Sequence, residues 1–163
     1  MRIFHSPDPK SADELFRMKQ LWKLLVPEPG YDLSKICFLD IETTGFSRRY
    51  DSIYLIGYET FEEGRLITRQ FLAGNEREEA ALLTCVLEDL RRFQAVVTYN
   101  GDMFDLPFIR DRAKSMHVWD QTAEAWMETL CSVDLMRRYR KYQSFFGWPN
   151  LKLKTVEACL GAS

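Results

Sequence analysis

The sequence predicts an α/β fold, a mixed sheet flanked by helices, and three observations predict it. Residues 36 to 72 read as a three-strand antiparallel meander. Residues 76 to 93 repeat apolar side chains at helical spacing, and Ala95 to Tyr99 after them form a short apolar run of strand character. A helix joining two strands implies parallel pairing across a right-handed crossover, so the meander is expected to continue into parallel strands.

Taken in order, residues 1 to 10 look irregular, with Pro7 and Pro9. Ser11 can cap a helix to about Val26 whose stripe is Leu15, Met18, Leu21, Trp22 and Leu25, before Pro27, Pro29 and Gly30 stop it. Residues 1–32 are thus expected to be a helical lead-in to a domain covering 33–163. Ile36 to Ile41 is an apolar strand ending in acid, followed by the turn formers Thr43, Thr44 and Gly45. Ile53 to Phe61 and Leu66 to Leu72 are β-branched and aromatic, with Glu62-Glu63-Gly64 between them, which makes a hairpin. Ala80, Leu83, Leu87 and Leu90 mark the crossover helix. Phe104 to Ser115 is read as a helix with Pro107 in its first turn, residues 118 to 131 as loop or helix, and Cys131 to Val133 as a short strand. Leu135 to Tyr142 and Lys154 to Leu160 complete the helices, and Gly161 fits a stop.

With 163 residues, 46% of them hydrophobic, the chain can build one substantial core, and a second full domain is not expected. Its formal net charge of −2 excludes nucleic-acid coating by bulk charge, so any such contact must be local. Cys37, Cys85, Cys131 and Cys159 lie far apart without a C-x-x-C pair, which signals neither a zinc site nor a disulfide framework. No run approaches the roughly 18 apolar residues of a membrane span, and Met1 to Lys10 lack the apolar stretch of a signal peptide, so a cytoplasmic setting is expected.

Asp40 and Glu42 carry the first chemical signal. Two apart on a strand, they project from the same face, and two partly desolvated carboxylates side by side call for a cation. Hard oxygen ligands on a rigid strand suit Mg²⁺ or Mn²⁺. The bland alternative is a solvated pair at a strand end. The second cluster runs from Tyr99 through Asn100, Gly101, Asp102, Met103 and Phe104 to Asp105, at a strand-to-helix junction. Ligands of open α/β sheets sit at such carboxyl ends, so the two clusters can share one crevice. For Asp102 a helix-capping role, with Asp105 completing a capping box, is the favoured reading. Asp105, between apolar Phe104 and Leu106, is better placed to face the crevice.

Phe38-Leu39-Asp40-Ile41-Glu42-Thr43-Thr44-Gly45 resembles the first motif of the DEDD (DnaQ-like) exonucleases, and Asn100-Gly101-Asp102-Met103-Phe104-Asp105 resembles their second, Asn-x-x-x-Phe-Asp. Asp134-Leu135, Leu153 to Glu157 and Leu160-Gly161 further resemble the YprB-type ribonuclease H-like branch. The resemblance covers most of the chain after residue 35. It implies a ribonuclease H-like sheet, three antiparallel strands continued by parallel ones, with two Mg²⁺ or Mn²⁺ ions held by Asp40, Glu42 and Asp105 as the catalytic carboxylates. One metal would activate water and the other would stabilise the leaving 3′ oxygen. It also implies that Thr43, Thr44, Gly45, Asn100 and Phe104 contact the terminal nucleotides, although Phe104 can equally be core.

The family's third motif, Tyr-x-x-x-Asp or His-x-x-x-x-Asp, is missing: no tyrosine has the spacing, and neither His5 nor His117 has an Asp five residues on. In the YprB-type branch that motif lies beyond the Leu-Gly matched by Leu160-Gly161, so the chain is expected to be C-terminally truncated relative to its family. Asp134 is the nearest extra carboxylate, with the start of a helix as its alternative role.

Arg137, Arg138, Arg140 and Lys141, interleaved with Tyr139 and Tyr142 and followed by Phe145, Phe146 and Trp148, mix cations with aromatics as single-strand binders do. An amphipathic helix with its aromatics in the core is the favoured reading there, leaving Arg137 and Arg138 as phosphate contacts. The functional expectation is a divalent-metal-dependent 3′-5′ exonuclease acting on DNA or RNA, at a single strand or 3′ end. The alternatives are a catalytically impaired nucleic-acid-binding module and a phosphatase of the haloacid-dehalogenase type, which a strand ending Asp-x-Glu-Thr faintly resembles. Oligomeric state stays open.

Overall fold

The computed structural model describes residues 2–8 and 32–160. Its elements are β1 (Arg2–Asp8), a short 3-10 turn at Leu33–Lys35, β2 (Ile36–Thr43), β3 (Ile53–Glu62), β4 (Arg65–Leu72), α1 (Glu76–Leu90), β5 (Ala95–Thr98), α2 (Asp105–Ser115), α3 (Gln121–Thr129), β6 (Cys131–Asp134), α4 (Leu135–Tyr139), α5 (Gln143–Phe146) and α6 (Leu153–Leu160). The expected helix from Ser11 to Val26 and the stop at Gly161 lie outside the described residues.

The strands form one six-stranded sheet in the order β1-β4-β3-β2-β5-β6. β2, β3 and β4 are the expected antiparallel meander, and β5 and β6 extend it in parallel. The β3–β4 turn is a two-residue loop, Glu63-Gly64, with φ of 51° and 76°. Left-handed backbone at both positions matches the strand twist, and glycine meets that demand without strain. Residues 1 to 10, expected to be irregular, instead supply β1, which pairs antiparallel with β4 from Arg2↔Leu72 to Asp8↔Leu66. An edge strand needs a ladder on one side only, which is why Pro7 does not forbid it.

Alternation along β2 divides the core. Cys37, Leu39 and Ile41 face the larger cluster, where Leu83, Val86, Leu87 and Leu90 of α1 meet Phe108 and Ile109 of α2 and Trp126 of α3. Ile36 faces the smaller one, with Ala95, Val97 and Val133. α1 starts where Asn75 accepts the Arg77 N–H at 3.0 Å, an N-cap backed by acidic Glu76, Glu78 and Glu79 in the first turn. Glu79 is fully buried and takes both Nε and Nη2 of Arg112 at 2.8 and 2.5 Å, together with the Ile53 N–H at 2.9 Å. One ion pair thus ties α1, α2 and the start of β3.

The loop-or-helix segment after residue 118 resolves into α3, capped by Asp120, which accepts the Ala123 N–H at 2.8 Å. The helix expected from Leu135 to Tyr142 stops at Tyr139 as α4, a turn follows in which the Tyr142 N–H reaches the Tyr139 carbonyl at 2.9 Å, and a further short helix, α5, begins at Gln143. Among the described residues, no helix is long and apolar enough to cross a membrane.

Candidate active site

β5 pairs with β2 only as far as Phe38↔Val97, whereas β2 runs on to Thr43. Beyond that point the sheet forks, and the main chain of β2 has no strand beside it on the β5 side. Asp105, the first residue of α2, fills the fork: its Oδ1 accepts the Ile41 N–H at 3.1 Å. The two acidic clusters are therefore joined through backbone, with Asp40 and Glu42 on either side of the residue that orients Asp105.

Asp40 and Glu42 are both exposed, on the face of β2 opposite Leu39 and Ile41. The Asp40 pKa is raised by partial desolvation of its carboxyl against the sheet and by Glu42, with the Ile41 backbone N–H acting the other way. Asp105 is 4% exposed, and its pKa is pushed up to about 7. Burial is the main cause and the Asp40 charge comes second, opposed by the backbone N–H groups of Asp105 and Ile41 and reinforced by Asp134. A buried carboxyl beside other carboxylates is raised in this way, and a cation would reverse the shift. Among the described residues, no three Asp, Glu, His or Cys side chains converge into a ready ion cage.

Asp134 ends β6, buried, and its carboxylate serves backbone. Oδ1 accepts the N–H groups of Asn100 and Arg137 at 2.9 and 3.2 Å, and Oδ2 accepts that of Asp102 at 3.3 Å. It thus caps α4 and fixes the second acidic turn while contributing to the field at Asp105. Asp102 does not act as expected. α2 begins without a side-chain cap, and Asp102 instead accepts the Ser132 hydroxyl and meets Arg137 Nη1 at 3.4 Å. The capping box fails because the turn holds itself by main-chain bonds, with Phe104 N–H to Asn100 O at 3.1 Å and Leu106 N–H to Gly101 O at 3.0 Å. Gly101 is required there, since a Cβ would lie 2.4 Å from the Thr98 side chain.

The turn after β2 is closed in the same manner. Thr43 Oγ1 donates to Gly45 O at 2.6 Å, Thr44 Oγ1 accepts the Ser52 N–H at 3.0 Å, and Asp51 accepts the Ser47 N–H at 2.8 Å. At Gly45 a Cβ would lie 2.4 Å from Asp51 Oδ2. Asn100 sits in the left-handed region at φ 69°. Phe104 takes the core-side packing that was its alternative role: it lies on the core margin and against Phe108 at 5.2 Å, and its ring also meets Phe46 edge-on at 6.2 Å. Phe46, which sequence reasoning did not single out, is 91% exposed at the mouth of the fork. Its signal was position: an aromatic next to Gly45, in a turn that offers no core to enter. Arg137 is exposed and Arg138 half-buried at the start of the basic stretch.

A family model described as the RNase_H superfamily matches residues 37–163. Among curated proteins, YprB of Bacillus subtilis is 33% identical over 84 residues, 51% of this chain and 20% of YprB. The catalytic polypeptide of DNA polymerase epsilon from Saccharomyces cerevisiae is 29% identical over 175 residues, covering 85% of this chain and 8% of that polypeptide. The DNA polymerase of Thermococcus litoralis is 33% identical over 106 residues, 59% of this chain and 6% of the polymerase. The chain thus spans a fifth or less of each of these relatives. Among solved structures, product-bound exonuclease I superposes with a TM-score of 0.62 at 15% identity, over 81% of this chain and 39% of that one. E. coli exonuclease I with a dT13 oligonucleotide gives 0.59 at 15% identity, over 78% and 36%. These similarities to solved structures establish shared fold.

Proposed function

This chain belongs to the RNase_H superfamily, and from that premise we propose that it hydrolyses nucleic-acid phosphodiester bonds from the 3′ end with Asp40, Glu42 and Asp105 as its catalytic carboxylates. The observation that carries the reading is the Asp105 carboxylate, buried in the sheet fork, oriented by the Ile41 N–H and raised by Asp40. A buried carboxyl raised by a neighbouring carboxylate adds no stability at neutral pH, and such groups concentrate at functional sites.

The donor set fits Mg²⁺ or Mn²⁺: hard oxygens only, on a rigid strand and a helix start, with uncompensated negative charge. Bound by Asp40, Glu42 and Asp105, such ions would supply the Lewis acidity that lowers the pKa of a water and offsets charge on the leaving oxygen. The remaining work falls to the chain. The Ile41 N–H fixes the Asp105 rotamer, and the self-bonded turns at Thr43-Thr44-Gly45 and Asn100 to Phe104 wall the fork. Phe46, supported by Phe104, offers a ring on which a terminal base stacks, and Arg137 and Arg138 draw phosphates. That exonuclease I was solved with single-stranded dT13 supports single-stranded substrate here.

The catalytically impaired binding module remains the second reading, favoured by the absence of a ready ion cage among the described residues. The phosphatase alternative rests only on Asp-x-Glu-Thr and gains nothing from the family match.

One assay separates these readings. Single-stranded DNA and RNA labelled at the 3′ or 5′ end are incubated with Mn²⁺ and either this chain or its Asp40→Asn/Glu42→Gln variant. Stepwise 3′ shortening that falls to background in the variant is expected. Equal shortening by both proteins, or none by either, would sink the nuclease proposal.

A further inference from the structure

The basic stretch folds differently from its expected amphipathic helix, and three of its aromatics stand outside the core. Tyr142, Phe145 and Phe146 are 53, 82 and 56% exposed, while Trp148 is buried. Phe146 lies stacked on Trp148, centroids 5.2 Å apart and planes at 17°, and Tyr139 backs Trp148 edge-on at 5.8 Å. Phe145 stands at 87° to Phe146, 5.0 Å away. The array is held in place: the Trp148 N–H reaches Gln143 O at 3.0 Å, and Gly147 takes the left-handed turn at φ 66°. Between Leu135 and Val156 the chain carries Arg137, Arg138, Arg140, Lys141, Lys152 and Lys154 and no acid, although its net charge is −2.

The patch is also anchored to the carboxylate edge of the sheet. Asp134, which fixes the second acidic turn, caps the helix that leads into it, and the Tyr99 hydroxyl donates to Leu151 O at 2.6 Å on its far side. Resting on the nuclease reading for its biological sense, we propose that this surface is a second binding site, for single-stranded nucleic acid, which grips the strand away from the cleaved end. Preset aromatic faces stack unpaired bases, and the surrounding cations follow phosphates. A duplex hides its base faces and fits the patch less well. A protein-docking core would be depleted of lysine, whereas Lys141 stands exposed next to Tyr142 in the chain.

The test measures binding without cleavage. Fluorescence anisotropy of labelled single-stranded DNA and RNA, about twenty nucleotides long, is followed in EDTA with the full chain. It is repeated with Phe145→Ala/Phe146→Ala and Arg140→Gln/Lys141→Gln, after circular dichroism and thermal unfolding show both variants folded. Single strands are expected to bind more tightly than duplex. The aromatic double variant should lose about tenfold or more in affinity. The cation variant should lower the slope of log K against log salt by about one. Unchanged affinity in the aromatic variant, or no preference for single strands, overturns the site. So does finding no strand binding together with self-association, seen by sedimentation, that Phe145→Ala/Phe146→Ala abolishes, since the occupant is then a second copy. Binding that survives Asp40→Asn/Glu42→Gln supports a site separate from the carboxylates. If the parent chain cuts nothing yet binds through Phe145 and Phe146, the nuclease reading falls and the site stands.

Discussion

At Asp105 a buried carboxyl sits beside Asp40 and in the field of Asp134, with a pKa of about 7. Because this lies above the value of an unfolded aspartate, the folded chain holds the extra proton in the interval between them. The resulting stability is complete below about pH 4 and is lost as pH climbs through about 7. In EDTA, thermal unfolding should therefore show Asp105→Asn to be more stable than the parent at neutral pH, by about 1–3 kcal/mol, with the difference vanishing in acid. The same substitution should remove Mn²⁺ binding in titration calorimetry. In the parent, Mn²⁺ affinity should fall as pH drops from about 8 to about 6, since the ligand must shed its proton. Phe46 makes a separate expectation: Phe46→Ala should leave the fold intact and raise KM for single strands about tenfold through the lost stacking, read from initial rates. Asp40 and Glu42 were legible because strand periodicity alone puts them on one face. The role of Asp102 was not, because a capping box and a self-bonded turn share the same residue types, and only main-chain geometry tells them apart.

Among the elements, α1 and α2 are tied by the Glu79–Arg112 pair, both partners buried, with Ile53 N–H as a third contact. Removing one partner leaves an unpaired charge inside the core, so Glu79→Ala should cost about 3–5 kcal/mol in urea unfolding. Exposed pairs such as Lys114–Glu124 should matter far less. The meander, the crossover and the parallel strand were readable from hydrophobic period, because each buries a face of its own. The break between α4 and α5 was not. Tyr139, Tyr142, Phe145 and Phe146 have helical spacing, and a continuous helix would seek a core for them, yet the Tyr142 turn leaves three of the four exposed.

Across the whole molecule, β1 covers the edge of β4 that the meander alone would leave open. A bare edge is a template for another chain. Deleting residues 1–8 should therefore produce concentration-dependent association in size-exclusion chromatography, with the first two acidic motifs undisturbed. The strand was hidden in the sequence because pairing with a distant edge leaves little local pattern and Pro7 argues against it. The fork between β2 and β5 has a different consequence. Its width is set by where a backbone ladder stops, so exchanging the acids for amides empties the cleft of charge without closing it. If the proposed hydrolysis holds, a descendant that lost it would inherit the same open receptacle, so the step from cutting to holding would need only a handful of point changes.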